Sequence, residues 1–270
     1  QPQKQYLPSN STLVTRVDNA PTKYTRCTGG AFDSKGNYWC LNTSESKTVH
    51  RFTPNKQWYG ITLTKDGNVV PIYTTAEILL DKRNENHKWI VSCREGTKLL
   101  LLDDNGTINE DDDKIVFRDT WTTANGNAIS PLYLYTIKQD ANNNIWIGSS
   151  SGPIIIPANV DFSNSDMCRQ IEILDEDGNN LFQSYEIRSI EFDNEGKIWL
   201  GTSEGAFVVS NDWKKIVAQY NSANTIMPGS SVMSLAFDAQ SKYMYIGTSN
   251  GIVRFNATAS SGSSGADNVD

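Results

Sequence analysis

Short apolar runs alternate along the chain with polar, glycine-bearing turns, and nowhere does a 3.6-residue apolar period persist long enough to predict an amphipathic helix. The best helical candidate, Thr74 to Leu80, is brief and begins with β-branched residues, so it reads as a turn leading into a strand. One pattern recurs five times: an apolar strand, a polar turn, an aromatic with β-branched neighbours, a small-residue turn and a second apolar strand. Its copies centre on Tyr38-Trp39-Cys40, Lys88-Trp89-Ile90, Ile145-Trp146-Ile147, Ile198-Trp199-Leu200 and Met244-Tyr245-Ile246, with successive anchor aromatics 46 to 57 residues apart. That period suits a four-stranded sheet per repeat and exceeds that of leucine-rich or ankyrin repeats.

Turn chemistry divides each repeat into strands. Asp33 to Gly36 and Asp193 to Gly196 supply Asp-x-x-Gly hairpin turns, and Gly152, Gly205 and Gly251 mark the turn after the anchor strand. In the fourth repeat this predicts strands Arg188 to Asp193, Lys197 to Thr202, Ala206 to Ser210 and Lys215 to Tyr220. Ala206-Phe207-Val208-Val209 is apolar without alternation, as expected of a strand buried on both faces. The predicted fold is all-β: a β-propeller of four-stranded antiparallel blades over residues 1–256, then a flexible Ser/Gly linker, 257–270, leading to a C-terminal domain. The last repeat lacks a fourth strand. Thr12 to Asp18 has the pattern to supply it and close a five-bladed ring; alternatively, the five repeats are the end of a larger ring.

Composition narrows the partners. With 24 basic against 31 acidic residues the net charge is -7, and no basic stripe exceeds Lys214-Lys215, which excludes nucleic acid as an expected partner. No run approaches eighteen apolar residues, so no membrane span is expected in the chain.

The run Asp193-Asn194-Glu195-Gly196-Lys197-Ile198-Trp199-Leu200-Gly201-Thr202-Ser203-Glu204-Gly205 resembles the propeller repeats of the periplasmic sensors of hybrid two-component regulators. A wider resemblance is carried by Leu101 to Thr107 with the acidic residues through Asp113, by the Ile173 to Gly178 hairpin, and by Gly247 to Val253 before the Ser/Gly run. It is to the PorZ family, surface propeller proteins of the Bacteroidetes type IX secretion machinery. This resemblance implies two propellers and a sorting-type C-terminal domain, a place in a cell-surface attachment complex with a sortase, and the handling of anionic lipopolysaccharide. The chain is too short for two propellers, so a fragment or a one-ring relative is expected.

The anchor aromatics are expected to pack between blades rather than to meet a ligand. Trp58 and Trp213 fall where fourth strands begin. Trp121 lies between repeats, and with Tyr133, Tyr135, Tyr185 and Arg188 it forms the predicted ligand-binding set, because connections into the innermost strands converge on the central opening. Arg188 would meet a carboxylate or phosphate on a saccharide. Asp103, Asp104 and Asp111 to Asp113 lack calcium-loop spacing and read as a solvated hairpin tip. His50 is aligned with Val208 and Val253, and His87 with a polar turn; neither has a nucleophile or metal-ligand pattern beside it. Hairpin register separates Cys27 from Cys40 and predicts no disulfide; Cys40 and Cys93 read as small core residues and Cys168 as exposed. No metal and no cofactor are predicted.

The expected function is a non-enzymatic binding and scaffold propeller, exported to the cell surface or periplasm, whose partners are other secretion-complex proteins or a surface glycan such as lipopolysaccharide. The alternatives are a ligand-sensing propeller of a hybrid two-component regulator and a propeller glycan hydrolase or lyase. The last would need two carboxylates or a histidine converging on the central channel.

Overall fold

The computed structural model describes residues 4–15, 25–43, 47–70, 72, 74–93 and 99–257. They form two compact units, residues 1–119 with 162–164, and residues 120–161 with 165–270.

The first unit opens with β1 (Cys27–Phe32), β2 (Tyr38–Asn42), β3 (Lys47–Phe52) and β4 (Trp58–Thr62), an antiparallel sheet in chain order. A small hairpin, β5 (Thr64–Lys65) and β6 (Asn68–Val69), leads to a second such sheet of β7 (Thr75–Leu80), β8 (His87–Ser92), β9 (Leu99–Asp103) and β10 (Lys114–Arg118). In the second unit β11 (Trp121–Thr123) and β12 (Ala128–Ile129) form an inserted hairpin. Then come β13 (Leu134–Gln139), β14 (Ile145–Ser149) and β15 (Gly152–Ile156), and β16 (Met167–Cys168), which runs parallel to β11. A four-stranded sheet follows, of β17 (Ser189–Phe192), β18 (Ile198–Thr202), β19 (Gly205–Val209) and β20 (Ile216–Tyr220). The last sheet holds β21 (Val232–Asp238), β22 (Tyr243–Thr248) and β23 (Gly251–Asn256). Strands β15 and β19 are buried along their whole length, as their unbroken apolar sequence requires.

One carboxylate organises the turn of each of the first four repeats. Asp193 Oδ1 accepts the backbone N–H of Glu195 at 2.9 Å and of Lys197 at 3.0 Å, while Oδ2 accepts the Trp199 indole N–H at 3.0 Å. The indole bonds of Trp39 to Asp33, Trp89 to Asp81 and Trp146 to Asp140 repeat it at 2.9, 3.1 and 2.9 Å. The glycine two residues after Trp199 has its own reason: a Cβ on Gly201 would lie 2.6 Å from the Val232 side chain of the next sheet. Thr202 Oγ1 then donates to the Gly205 carbonyl and accepts the Glu204 N–H, both at 3.0 Å, which closes the following turn. In the first four repeats the hallmark aspartate and tryptophan are thus engaged in holding their own repeat together.

The anchors bury sheet against sheet within each unit. Trp39 packs with Ile78, Ile90 and Leu100, Trp146 with Ile190, Leu200 and Phe207, and Trp199 with Val232, Met244 and Phe255. Trp89 meets Phe162 edge-on at 4.8 Å. Tyr245 holds the same strand position, opposite Ala236 and Arg254, yet is 38% exposed where the tryptophans are at most 2% exposed. The expectation that every anchor packs between blades is therefore corrected for Tyr245, which no apolar sheet covers among the described residues.

Strand β23 has no fourth partner among the described residues. Thr12–Thr15 forms no strand. Val14 N–H donates to Asn42 Oδ1 at 2.7 Å and the Thr12 hydroxyl bonds His50 Nδ1 at 2.8 Å, so this segment lies on the first sheet. Arg16 to Asp18 and the linker beyond Ala257 lie outside the described residues.

Register corrects three further readings. His50 pairs with Cys40, the position of Phe207 and Val253 in their sheets, whereas Arg51 faces Trp39 as Val208 faces Trp199. A β-bulge between Thr28 and Ala31 moves Cys27 opposite Asn42, and it brings the Cys27 and Cys40 thiols into hydrogen-bonding contact; both are free. That bond from Cys40, opposed by burial, lowers the Cys27 thiol to about 7. Cys168, expected to be exposed, is buried in β16, and burial with the nearby Asp166 pushes its thiol up to about 11.

Candidate functional site

In the second unit the innermost strands β13, β17 and β21 lie side by side, β17 in contact with both others. The connections that deliver the chain to their N-terminal ends carry four of the five predicted ligand residues. Tyr133 and Tyr135 flank the start of β13 with their rings 6.1 Å apart, Tyr133 being 36% exposed. The loop is held by Ser150, whose hydroxyl accepts the Tyr133 N–H at 3.2 Å and whose N–H donates to the Tyr133 carbonyl at 3.0 Å.

Arg188 stands just before β17, half-buried. Its guanidinium donates to Glu186 Oε2 from Nη2 at 2.9 Å and from Nε at 3.3 Å, and Nη1 reaches the sulfur of Met233 on β21 at 3.5 Å. The expected cation for a ligand's acid group is thus already paired with a carboxylate of its own loop. Leu132 and Met233 add exposed apolar surface beside these residues. The N-terminal ends of β13, β17 and β21 therefore present two aromatics, Tyr133 exposed and Tyr135 half-buried, two apolar side chains and an Arg–Glu pair, a combination suited to stacking and hydrogen bonding rather than to proton transfer.

Two predicted members do not join this surface. Trp121 is fully buried in β11, paired with Ile129, and its indole N–H has no partner. The inserted hairpin gains β16 as a third strand from a distant part of the sequence, which turns an apparent connection into an interior. Tyr185 is half-buried at the end of a short 3-10 helix, Leu181–Ser184, and packs 5.1 Å from Phe207 and 6.3 Å from Phe182. Its backbone carbonyl accepts the Gly152 N–H, so its place is structural.

Remaining candidates resolve individually. Trp58 packs between Tyr6 and Phe52, and Trp213 lies edge-on to Trp146 at 4.9 Å. His50 is fully buried between the Thr12 hydroxyl and the Lys47 carbonyl; burial lowers its pKa to about 4 and keeps the imidazole neutral. His87 begins β8, 3.7 Å from Asp103.

The acidic hairpin tip after β9 is solvated, with Glu110 and Asp111 exposed, but it is also docked. Asp104 is buried and paired with Lys88 at 2.7 Å, and Glu110 accepts the Thr62 N–H at 2.7 Å. No group of residues suited to a metal ion occurs among the described residues. Neither the bond from Arg51 to the Thr107 carbonyl nor the docking of this loop was legible in the sequence, because the residues that bring them together come from two repeats.

The fold class is the β-propeller with repeats of the two-component-regulator type: residues 181–204 match the family described as Two component regulator propeller. More particularly, the fold is that of a PorZ-like propeller. PorZ, described as an essential bacterial surface component of the type-IX secretion system of Porphyromonas gingivalis, superposes with a TM-score of 0.82 at 22% identity, over 97% of this chain and 35% of that one. The extracellular domain of a putative hybrid two-component system, BT3049 of B. thetaiotaomicron, gives a TM-score of 0.61 at 16% identity over 91% of this chain and 29% of that one. A gluconolactonase of Xanthomonas campestris, XC5397, gives 0.56 at 10% identity over 86% and 71%. The chain spans about a third of the length of the first two. No curated protein sequence matches it. No helix among the described residues is long and apolar enough to cross a membrane.

Proposed function

We propose that this chain is a non-enzymatic binding and scaffold propeller of an exported, cell-surface assembly, working as part of a PorZ-like protein. The likeness to PorZ over 97% of the chain is the observation that carries this reading. The engagement of each hallmark residue in its own repeat supports it, since it leaves the chemistry to residues outside the repeat pattern. The surface best suited to a partner is the one at the N-terminal ends of β13, β17 and β21, where Tyr133 offers a stacking face and the Arg188–Glu186 pair offers both donors and acceptors. Its partner would be an anionic surface glycan such as lipopolysaccharide, or another protein of the secretion complex.

Titrating the purified chain with anionic lipopolysaccharide tests this, in wild type and in Tyr133→Ala and Arg188→Ala variants. Each variant is expected to bind at least about tenfold more weakly, a loss of about 1.4 kcal/mol. Equal affinity in all three would move the glycan site elsewhere, and no binding to any would leave the protein-partner scaffold. The match at residues 181–204 favours one second reading, a ligand-sensing propeller of a hybrid two-component regulator. The gene sequence on either side of this chain separates the two.

A further inference from the structure

Two of the free cysteines are neighbours across the first hairpin, and a single irregularity of the backbone makes them so. Strands β1 and β2 pair Phe32 with Tyr38 and Ala31 with Trp39, a register that would carry on to set Cys27 opposite Thr43. Successive strand residues point to opposite faces, so Cys27 and Cys40 would then lie on different sides of the sheet. The β-bulge between Thr28 and Ala31 shifts the pairing by one residue. Cys27 now faces Asn42, two residues from Cys40, and shares its side of the sheet as a diagonal neighbour.

The bulge is built in rather than incidental. Gly29 stands in it at φ 59°, and a Cβ there would lie 2.9 Å from the Ile78 backbone nitrogen of the next sheet. Beyond Cys27 the chain is held by the Arg26 carbonyl, which accepts the Asn42 side-chain amide at 3.0 Å and the Thr43 N–H at 3.1 Å. Cys27 is thus placed from both sides.

The two thiols differ in access. Cys27 is exposed, whereas Cys40 is 3% exposed. The hydrogen bond from Cys40, opposed by burial, holds the Cys27 thiol at about 7, so a substantial fraction of it is thiolate at neutral pH. His50 stands next in the row, opposite Cys40, but its ring nitrogens are engaged by the Thr12 hydroxyl and the Lys47 carbonyl. Among the described residues no third group joins the two thiols to make a metal site. An accessible nucleophile beside a sheltered thiol is the arrangement that thiol–disulfide exchange requires.

We propose that Cys27 and Cys40 form a redox modification site, at which Cys27 reacts with a small organic disulfide from solution and Cys40 resolves the adduct into a Cys27–Cys40 bond. In the first step the Cys27 thiolate attacks one sulfur of the disulfide, forms a mixed disulfide and releases one thiolate. In the second, the Cys40 sulfur attacks Cys27 Sγ and its proton leaves with the second small thiol. The cysteine pair loses two electrons and the small disulfide gains them. Because the second step is intramolecular, the burial of Cys40 does not hinder it. A diagonal pair spans more than a directly opposed one, so the bond draws β1 and β2 together at the bulge and is easily reduced again. This site is separate from the Tyr133 surface, and the proposal stands whether or not that surface binds a glycan.

Treating the whole chain with oxidised glutathione at neutral pH tests it, with alkylation of the remaining thiols and mass spectrometry of the unreduced protein and its peptides. In the wild type the Cys27 and Cys40 peptides are expected as one linked pair carrying no glutathione, with both thiols recovered on adding dithiothreitol. Cys40→Ser should stop at one glutathione on Cys27, and Cys27→Ser should leave Cys40 unmodified. Should Cys40→Ser fail to fold by circular dichroism, Cys27→Ser and the wild-type peptide map decide. Glutathione retained on Cys27 of the wild type, with Cys40 still free, would overturn the proposal in favour of a surface thiol beside a packing residue. So would an unreacted Cys27, a bond from Cys27 to Cys93 or Cys168, or undiminished oxidation of Cys40 in Cys27→Ser.

Discussion

At the scale of the residue, the hallmark aspartate carries more of the fold than its place in a turn suggests. Asp193 is nearly buried, serves two backbone N–H groups, and also serves the indole of an anchor that is itself buried. Replacing it with Ala leaves three donors without an acceptor, one of them beyond the reach of water, and is expected to cost about 2–4 kcal/mol. Asp193→Asn keeps one acceptor oxygen and should cost roughly half of that. Asp238, at the matching turn of the last repeat, accepts from the exposed Gln240 N–H and Ser241 hydroxyl but from no indole, because Tyr245 has no N–H to offer. Asp238→Ala should therefore be the mildest of the three changes. Urea denaturation of the three variants checks the ranking. The Asp-x-x-Gly pattern was visible in the sequence as a turn, but the bond to the tryptophan six residues on was not, since only a formed hairpin brings the two together.

At the scale of the element, the strands were legible because a propeller strand is short and flanked by glycine and aspartate at regular offsets. The four strands of the fourth repeat match β17 to β20 within about a residue or two at each end, the usual scatter of such boundaries. What one strand does for another was less legible. Trp199 is enclosed by residues of β21, β22 and β23, whereas Tyr245, at the same place in its own strand, is 38% exposed. Trp199→Ala is accordingly expected to cost about 3–5 kcal/mol and Tyr245→Ala about 1 kcal/mol, read from denaturation midpoints. Comparable losses would mean that Tyr245 is covered in solution. Trp121 shows the opposite failure: it reads as part of a connection, and becomes interior through β16, contributed by residues more than forty positions away.

At the scale of the whole molecule, both histidines of the chain lie in the first unit. His50 is neutral when folded, with its pKa lowered by burial to about 4 against about 6.5 when exposed. Between these values the unfolded chain binds the proton and the folded one does not. The stability that His50 contributes is therefore full above about pH 6.5 and is lost as the pH falls towards 4, by at most about 3 kcal/mol. Asp113, in the same unit and raised by burial to about 7, works in the opposite direction over this window, so the His50 contribution is read as a difference between variants. His50→Gln should lose less stability than the wild type between about pH 6.5 and 4, measured by urea denaturation at each pH; equal losses in the two would mean that the burial of His50 does not govern acid stability.

By itself the sequence determined the repeat, its strand pattern and the class of fold, because these depend on local periodicity and turn chemistry that each repeat states within about fifty residues. It also located Tyr133 and Arg188, which belong to connections it could delimit. The tertiary structure decided which aromatics are covered, that Arg188 is already paired with Glu186, that Trp121 and Tyr185 are packing residues, and that Arg51 is tied to the acidic loop of the next repeat. Burial and pairing of this kind are relations between repeats, and a pattern read along one chain segment holds no record of which segment will lie against it.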